Sequence, residues 1–186
     1  MNTQVHQTQQ HYRTLVDIFS YPGKISKSVE KPNNYSTFCD GVLMTAMTLL
    51  DNEVAFYTTF KSDGQEFSTL TGAEMVDETG QSDYLIIKEK DLEPAVFEDA
   101  SIGTLPSPEK SATLIIEVAS FHEGNFYKLT GPGINDQLMI QVSLEEKWIT
   151  HRNERCKEYP LGIDLILIDS QSNMMSIPRT TKIEVI

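Results

Sequence analysis

Two stretches decide the fold: Ala112-Thr113-Leu114-Ile115-Ile116-Glu117-Val118-Ala119 and Ile163-Asp164-Leu165-Ile166-Leu167-Ile168. Each is too short for a helix, rich in β-branched residues and nearly free of polar alternation, the pattern of a strand covered on both faces. Each carries one acidic residue, Glu117 or Asp164, that such burial does not explain.

Working outward from these strands, the N-terminal part of the chain reads as helical. Tyr12, Leu15, Val16 and Phe19 recur at helical spacing, which predicts an amphipathic helix over residues 9–20, stopped by Tyr21-Pro22-Gly23. Lys24 to Tyr35 reads as an irregular crossing around Pro32, Asn33 and Asn34, with one short strand. A second helix is expected after Ser36 or Thr37 as N-cap, with Phe38, Val42, Leu43, Ala46, Met47 and Leu50 on its apolar face.

Val54 to Thr58 and Tyr84 to Ile87 read as strands, residues 65–71 as a short helix before Gly72, and Asp91 to Phe97 as another with Pro94 in its first turn. Beyond Ala119, a hairpin is expected through His122-Glu123-Gly124 into Phe126, Tyr127 and Leu129. A short apolar segment at Leu138 to Val142 follows. Ser143 and Glu146 have capping-box spacing ahead of a helix to about Arg155. Asp169 to Asn173 turns the chain into Met174 to Ile177, and Pro178 forces the last strand, Thr181 to Val185, to begin afresh. Helices early, strands interleaved and a strand-rich end indicate one domain over residues 1–186, a mixed sheet with helices packed on it.

Composition narrows the function. With 27 acidic against 15 basic residues, a formal charge of -12, nucleic acid and anionic membrane surfaces are disfavoured partners. The first eleven residues are polar and Gln-rich, and no apolar run approaches the roughly 18–20 residues of a membrane span, so a cytoplasmic protein is expected. Cys39 and Cys156 stand far apart without ligand-spaced neighbours, which predicts reduced thiols on helices and no metal site. His6, His11, His122 and His151 lie in no HxxxH, HExxH or triad-like context, so no catalytic residue is assigned. His122 and His151 are expected at the surface.

Two constellations could hold a ligand. Thr130-Gly131-Pro132-Gly133-Ile134 follows a strand, and its glycines allow either close approach to an anion or merely a tight loop; it lacks the Lys-Ser/Thr of a P-loop. Asp164 and Arg179 are expected to pair across the final strands, either as an internal salt bridge or as a setting in which Arg179, with Thr180 beside it, faces a ligand.

The runs Tyr159-Pro160-Leu161-Gly162-Ile163-Asp164-Leu165-Ile166-Leu167 and Ile177-Pro178-Arg179-Thr180-Thr181-Lys182-Ile183-Glu184-Val185 closely resemble the C-terminal signature of the H subunit of carbon-phosphorus lyase, the PhnH family. Ala112 to Ile116, Val118 to Ser120, Leu129 to Ile134 and Met139-Ile140 follow the family's order, and Tyr12 to Leu15 with Ser20 to Gly23 looks like its opening. The likeness is thin from Thr58 to Ser111.

The resemblance implies a three-layer α/β sandwich with a mixed sheet, similar to the large domain of pyridoxal-phosphate-dependent transferases but without that cofactor; none is expected. It implies a homodimer that joins the G, I and J subunits in a core complex coupling methylphosphonate to the ribose of ATP with release of adenine. A non-catalytic assembly role is the first expectation. The alternative is a phosphate-, phosphonate- or nucleotide-binding transferase subunit whose site is built from Arg179, Thr180, Asp164, Gly131 and Gly133.

Overall fold

The computed structural model describes residues 3–29 and 36–186. Along the chain run α1 (Thr3–Ser20), β1 (Ser26–Lys27), α2 (Asp40–Leu49), β2 (Ala55–Thr58), α3 (Lys61–Thr71), β3 (Glu74–Met75), β4 (Tyr84–Lys88) and α4 (Pro94–Glu98). They are followed by β5 (Ile102–Thr104), β6 (Ser107–Ser111), β7 (Thr113–Val118), β8 (Asn125–Thr130), β9 (Leu138–Val142), α5 (Glu146–Arg155), β10 (Asp164–Asp169), β11 (Asn173–Ile177) and β12 (Lys182–Val185).

Seven strands form one mixed sheet in the order β1-β11-β10-β7-β4-β2-β3, with β10, β7, β4, β2 and β3 mutually parallel and β11 and β1 antiparallel to their neighbours. The two deciding stretches, β7 and β10, are adjacent at its centre, with Leu114 level with Leu165 and Ile115 with Ile166. Because successive side chains point to opposite faces, this register sorts the sheet into two cores. Leu85, Ile87, Leu114, Ile116, Leu165 and Leu167 enter one, together with α4, α5 and the small sheet β12-β8-β9. Ile86, Ile115, Ile166 and Ile168 enter the other, under α1, α2 and α3. Each of these fully buried side chains contributes on the order of 1.5–3 kcal/mol. On the first face, α4 and α5 are joined through Phe97 and Trp148, stacked with centroids 5.7 Å apart.

Several local expectations are corrected by the packing. The first helix begins at Thr3, and its buried stripe is His11, Leu15 and Ile18; Tyr12 and Val16 are 55% and 49% exposed. The second helix starts at Asp40 with Cys39 as N-cap and no side-chain cap, so Phe38 precedes it. Ser36 Oγ instead accepts from the Phe38 amide, and Thr37 donates its amide and hydroxyl to buried Asp63. The third helix begins four residues earlier than expected and ends, as expected, at left-handed Gly72. The 91–97 segment divides into a 3-10 turn at Glu89–Asp91 and α4, with Pro94 in the first turn.

Ser143 does not cap α5: Glu145 is the N-cap, and the Ser143 hydroxyl donates to Glu89 at 2.6 Å while accepting from the Ala119 amide. The expected hairpin through His122 is not one, since β7 stays in the large sheet while β8 pairs with β9 and β12. The segment at Pro32, Asn33 and Asn34 lies outside the described residues. Both thiols are free and half-buried at helix ends, Cys39 before α2 and Cys156 after α5. Among the described residues no helix is long and apolar enough to cross a membrane, and no group of His, Cys, Asp and Glu is arranged to hold a metal.

Candidate functional site

Antiparallel pairing of β10 with β11 sets Leu165 opposite Ile177, so the residues just outside that pair, Asp164 and Arg179, meet at the open end of the hairpin. The Arg179 amide donates to Asp164 Oδ1 at 2.6 Å, its Nη2 to Oδ2 at 2.6 Å and its Nε to both oxygens at 3.2–3.3 Å. Nη1 donates to the Pro108 carbonyl at 2.6 Å. The expected pairing is therefore present, with the side chains 13% and 19% exposed. All three guanidinium nitrogens are engaged inside the protein, and the fork ties β10, β11 and β6 together.

At the closed end of the same hairpin Asp169 accepts from the Gln171 and Asn173 amides, an Asx-type closure that also positions Ser172 to accept from the Gly41 amide of α2.

The glycine loop reaches the same neighbourhood. β12 pairs with β8, Lys182 opposite Thr130, which sets Gly131 beside Thr180 and Thr181. A Cβ on Gly131, at φ +134°, would lie 3.0 Å from the Thr180 carbonyl oxygen. Gly133 turns away to the end of α1, where a Cβ would lie 2.5 Å from the Ser20 carbonyl oxygen. The fold thus gathers Asp164, Arg179, Thr180 and Gly131, and uses Gly133 to seat the loop against α1.

Beside this group α5 and β12 enclose a cleft of about 520 Å³ lined by Arg152, Lys157, Arg179, Thr180, Lys182 and Glu184 among others. Arg152 was not singled out by sequence; only its place in the last turn of an amphipathic helix signals it. It is 1% exposed and donates to the Thr181 and Pro178 carbonyls and to Asn153 Oδ1, and among the described residues no carboxylate pairs with it. Burial lowers its affinity for its proton, and nearby Cys156 and Asp164 partly offset that. Its Nε and the Thr181 hydroxyl are buried without a hydrogen-bond partner among the described residues.

A second cleft, about 560 Å³, opens at the carboxyl ends of β4, β7 and β10, lined by Lys88, Glu89, Lys90, Glu117, Ser143, Glu145 and Ser170. The sheet's connections diverge at the neighbouring pair, since β2 leads outward to β3 and β4 inward to β7, and such switch points are favoured ligand positions. Glu117 accepts from the Cys39 amide at 2.6 Å and lies 3.7 Å from Lys88, whose ammonium also sits 5.0 Å over the Phe38 ring. Burial, with Glu117 adding to it, pushes the Cys39 thiol up to about 11, so it is no nucleophile at neutral pH.

Of the histidines, His122 is exposed and His151 half-buried against Phe97 and Trp148. His11 is buried between Thr45 and Ser28, at 3.0 and 3.2 Å.

The architecture is that of an α/β protein with a mixed sheet between two apolar layers. The family model for the bacterial phosphonate metabolism protein PhnH matches residues 1–184, and the chain belongs to that family. It is 29% identical over 181 residues to a putative C-P lyase subunit protein, HtxG, of Stutzerimonas stutzeri, covering 97% of this chain and 87% of the relative. It is 26% identical over 189 residues to the alpha-D-ribose 1-methylphosphonate 5-triphosphate synthase subunit PhnH of Rhizobium meliloti (strain 1021), covering 97% and 92%.

Proposed function

We propose that this chain is a subunit of a carbon-phosphorus lyase core complex of the ribose 1-methylphosphonate 5-triphosphate synthase type, and that its part is assembly rather than bond-breaking. The observation that carries this reading is the family match over nearly the whole chain, joined by two relatives whose names both denote lyase subunits. The assembly role draws support from the use made of the reactive groups. Asp164 and Arg179 fasten the last strands, Glu89 holds Ser143 and the Ala119 amide, and His11 of α1 is buried against Thr45 of α2. The chain works in the cytoplasm as a homodimer that docks with the G, I and J subunits. Its sheet between two apolar layers supports the likeness to the large domain of pyridoxal-phosphate-dependent transferases, without the cofactor. Coexpression with those three subunits is the test: the chain is expected to co-purify in stoichiometric amount through size-exclusion chromatography, and its elution alone as a free species would overturn the reading. The second reading, a subunit with its own ligand site, is favoured by one observation, the buried cation of Arg152, which has no carboxylate partner among the described residues.

A further inference from the structure

We propose that the cleft between α5 and β12 binds a phosphoryl or phosphonyl dianion, with the Arg152 guanidinium as the fixed positive charge at its floor and Lys157, Lys182 and Thr180 as the donors within reach. The proposal rests on the second reading above, a subunit with its own ligand site, and not on the assembly role.

Charge is the first argument. Four of the chain's 15 basic residues, Arg152, Lys157, Arg179 and Lys182, line this one cleft, in a protein whose formal charge is -12. The carboxylate in the lining, Glu184, is drawn to Lys128 at 2.5 Å, and Asp164 behind it is held by Arg179. Lys157 also touches Glu154 at 2.5 Å, a pair 58–65% exposed and so readily exchanged for a better partner. The cleft at the strand ends is different, because Lys88 and Lys90 share it with Glu89, Glu117 and Glu145.

Burial is the second argument. A guanidinium out of water ordinarily has a carboxylate or phosphate against it, since neutral carbonyls repay only part of the lost hydration. Among the described residues Arg152 has the Thr181 and Pro178 carbonyls and Asn153 Oδ1, and its Nε is left over, as is the Thr181 hydroxyl just before β12. An anion in the cleft, which Arg152 lines together with Thr180, Thr181 and Lys182, adds negative charge beside the guanidinium, and the exposed Lys157, Lys182 and Thr180 side chains of the same lining can donate to it. A dianion carries twice the charge of a carboxylate and a third oxygen to share among these donors, which favours it in a cleft lined by four basic side chains. The volume suits a small molecule rather than a folded partner.

The test uses the full chain labelled with ¹⁵N and titrated separately with inorganic phosphate, methylphosphonate and ATP. The amides of Arg152 and Thr180 to Lys182 are expected to shift and saturate with at least one of them, and the tightest binder tells whether the phosphoryl group comes free, on carbon or on a nucleotide. The Lys157→Gln/Lys182→Gln double variant, both sites being exposed, is expected to keep its thermal midpoint and lose about tenfold or more in affinity. The proposal is overturned if none saturates below about 10 mM, if the double variant binds as well as the parent, or if a polyglutamate peptide gives the same shifts at lower concentration than every phosphoryl compound.

Discussion

At the scale of single residues, His11 carries the clearest physical consequence. Thr45 donates its hydroxyl to the Gly41 carbonyl, so it accepts from His11 Nε2, while the Ser28 hydroxyl lies 3.2 Å from both His11 Nδ1 and the Val29 carbonyl and has one proton to give. Burial lowers the proton affinity of His11 from 6.5 to about 4. Below about 6.5 the unfolded chain takes up a proton that the folded chain refuses. The folded state therefore loses stability as pH falls from about 6.5 to about 4, by about 3 kcal/mol in all, with no contribution above that window. Urea unfolding across pH is expected to show this slope in the parent and a shallower one in His11→Gln; equal slopes would refute it. Asp164→Asn leaves Arg179 part-buried against a neutral partner and is expected to cost about 2–4 kcal/mol by the same measurement. Sequence made the Asp164–Arg179 pair legible, because a carboxylate inside an apolar strand demands a cation nearby. His11 and Arg152 were not legible, for the side chains and carbonyls that hold them, Thr45 with Ser28 and Thr181 with Pro178, lie 17–34 residues away and no local pattern announces them.

Among the elements, α1 shows how far periodicity reaches. Helical spacing identifies the helix, yet Tyr12, Leu15, Val16 and Phe19 form a stripe wider than the surface that the sheet and α2 can cover, and the buried edge is the one through His11, Leu15 and Ile18. Leu15→Ala is expected to cost about 2–5 kcal/mol in denaturant unfolding, whereas Tyr12→Ala stays within about 0.5 kcal/mol; comparable losses would show that the outer stripe is packed. The absent hairpin after β7 has a similar origin. The turn at His122-Glu123-Gly124 is real, and Gly124 at φ +97° belongs to it, but the chain leaves the large sheet there and founds the small one. Turn chemistry specifies a reversal, not which strand the returning segment will pair with.

Across the whole molecule, the sheet is shared by both cores, so neither can open alone without exposing β4, β7 and β10. A single cooperative transition is expected: Trp148 fluorescence, which reports the α4–α5 side, and far-UV circular dichroism, dominated by α1 to α3 on the other, should coincide in urea midpoint. Separated midpoints would mean that the two faces unfold independently.

What the sequence determined by itself is the pair of buried strands, most helices, the mixed sheet and the family resemblance, because alternation, helical period and a contiguous signature are all local properties of the chain. Only the tertiary structure decided that β7 and β10 lie side by side, that Gly131 and Thr180 approach while Gly133 turns to α1, and that four cations converge on one cleft. Those facts depend on which distant elements pack together. Packing is selected by the burial of whole faces, which no short window of sequence contains.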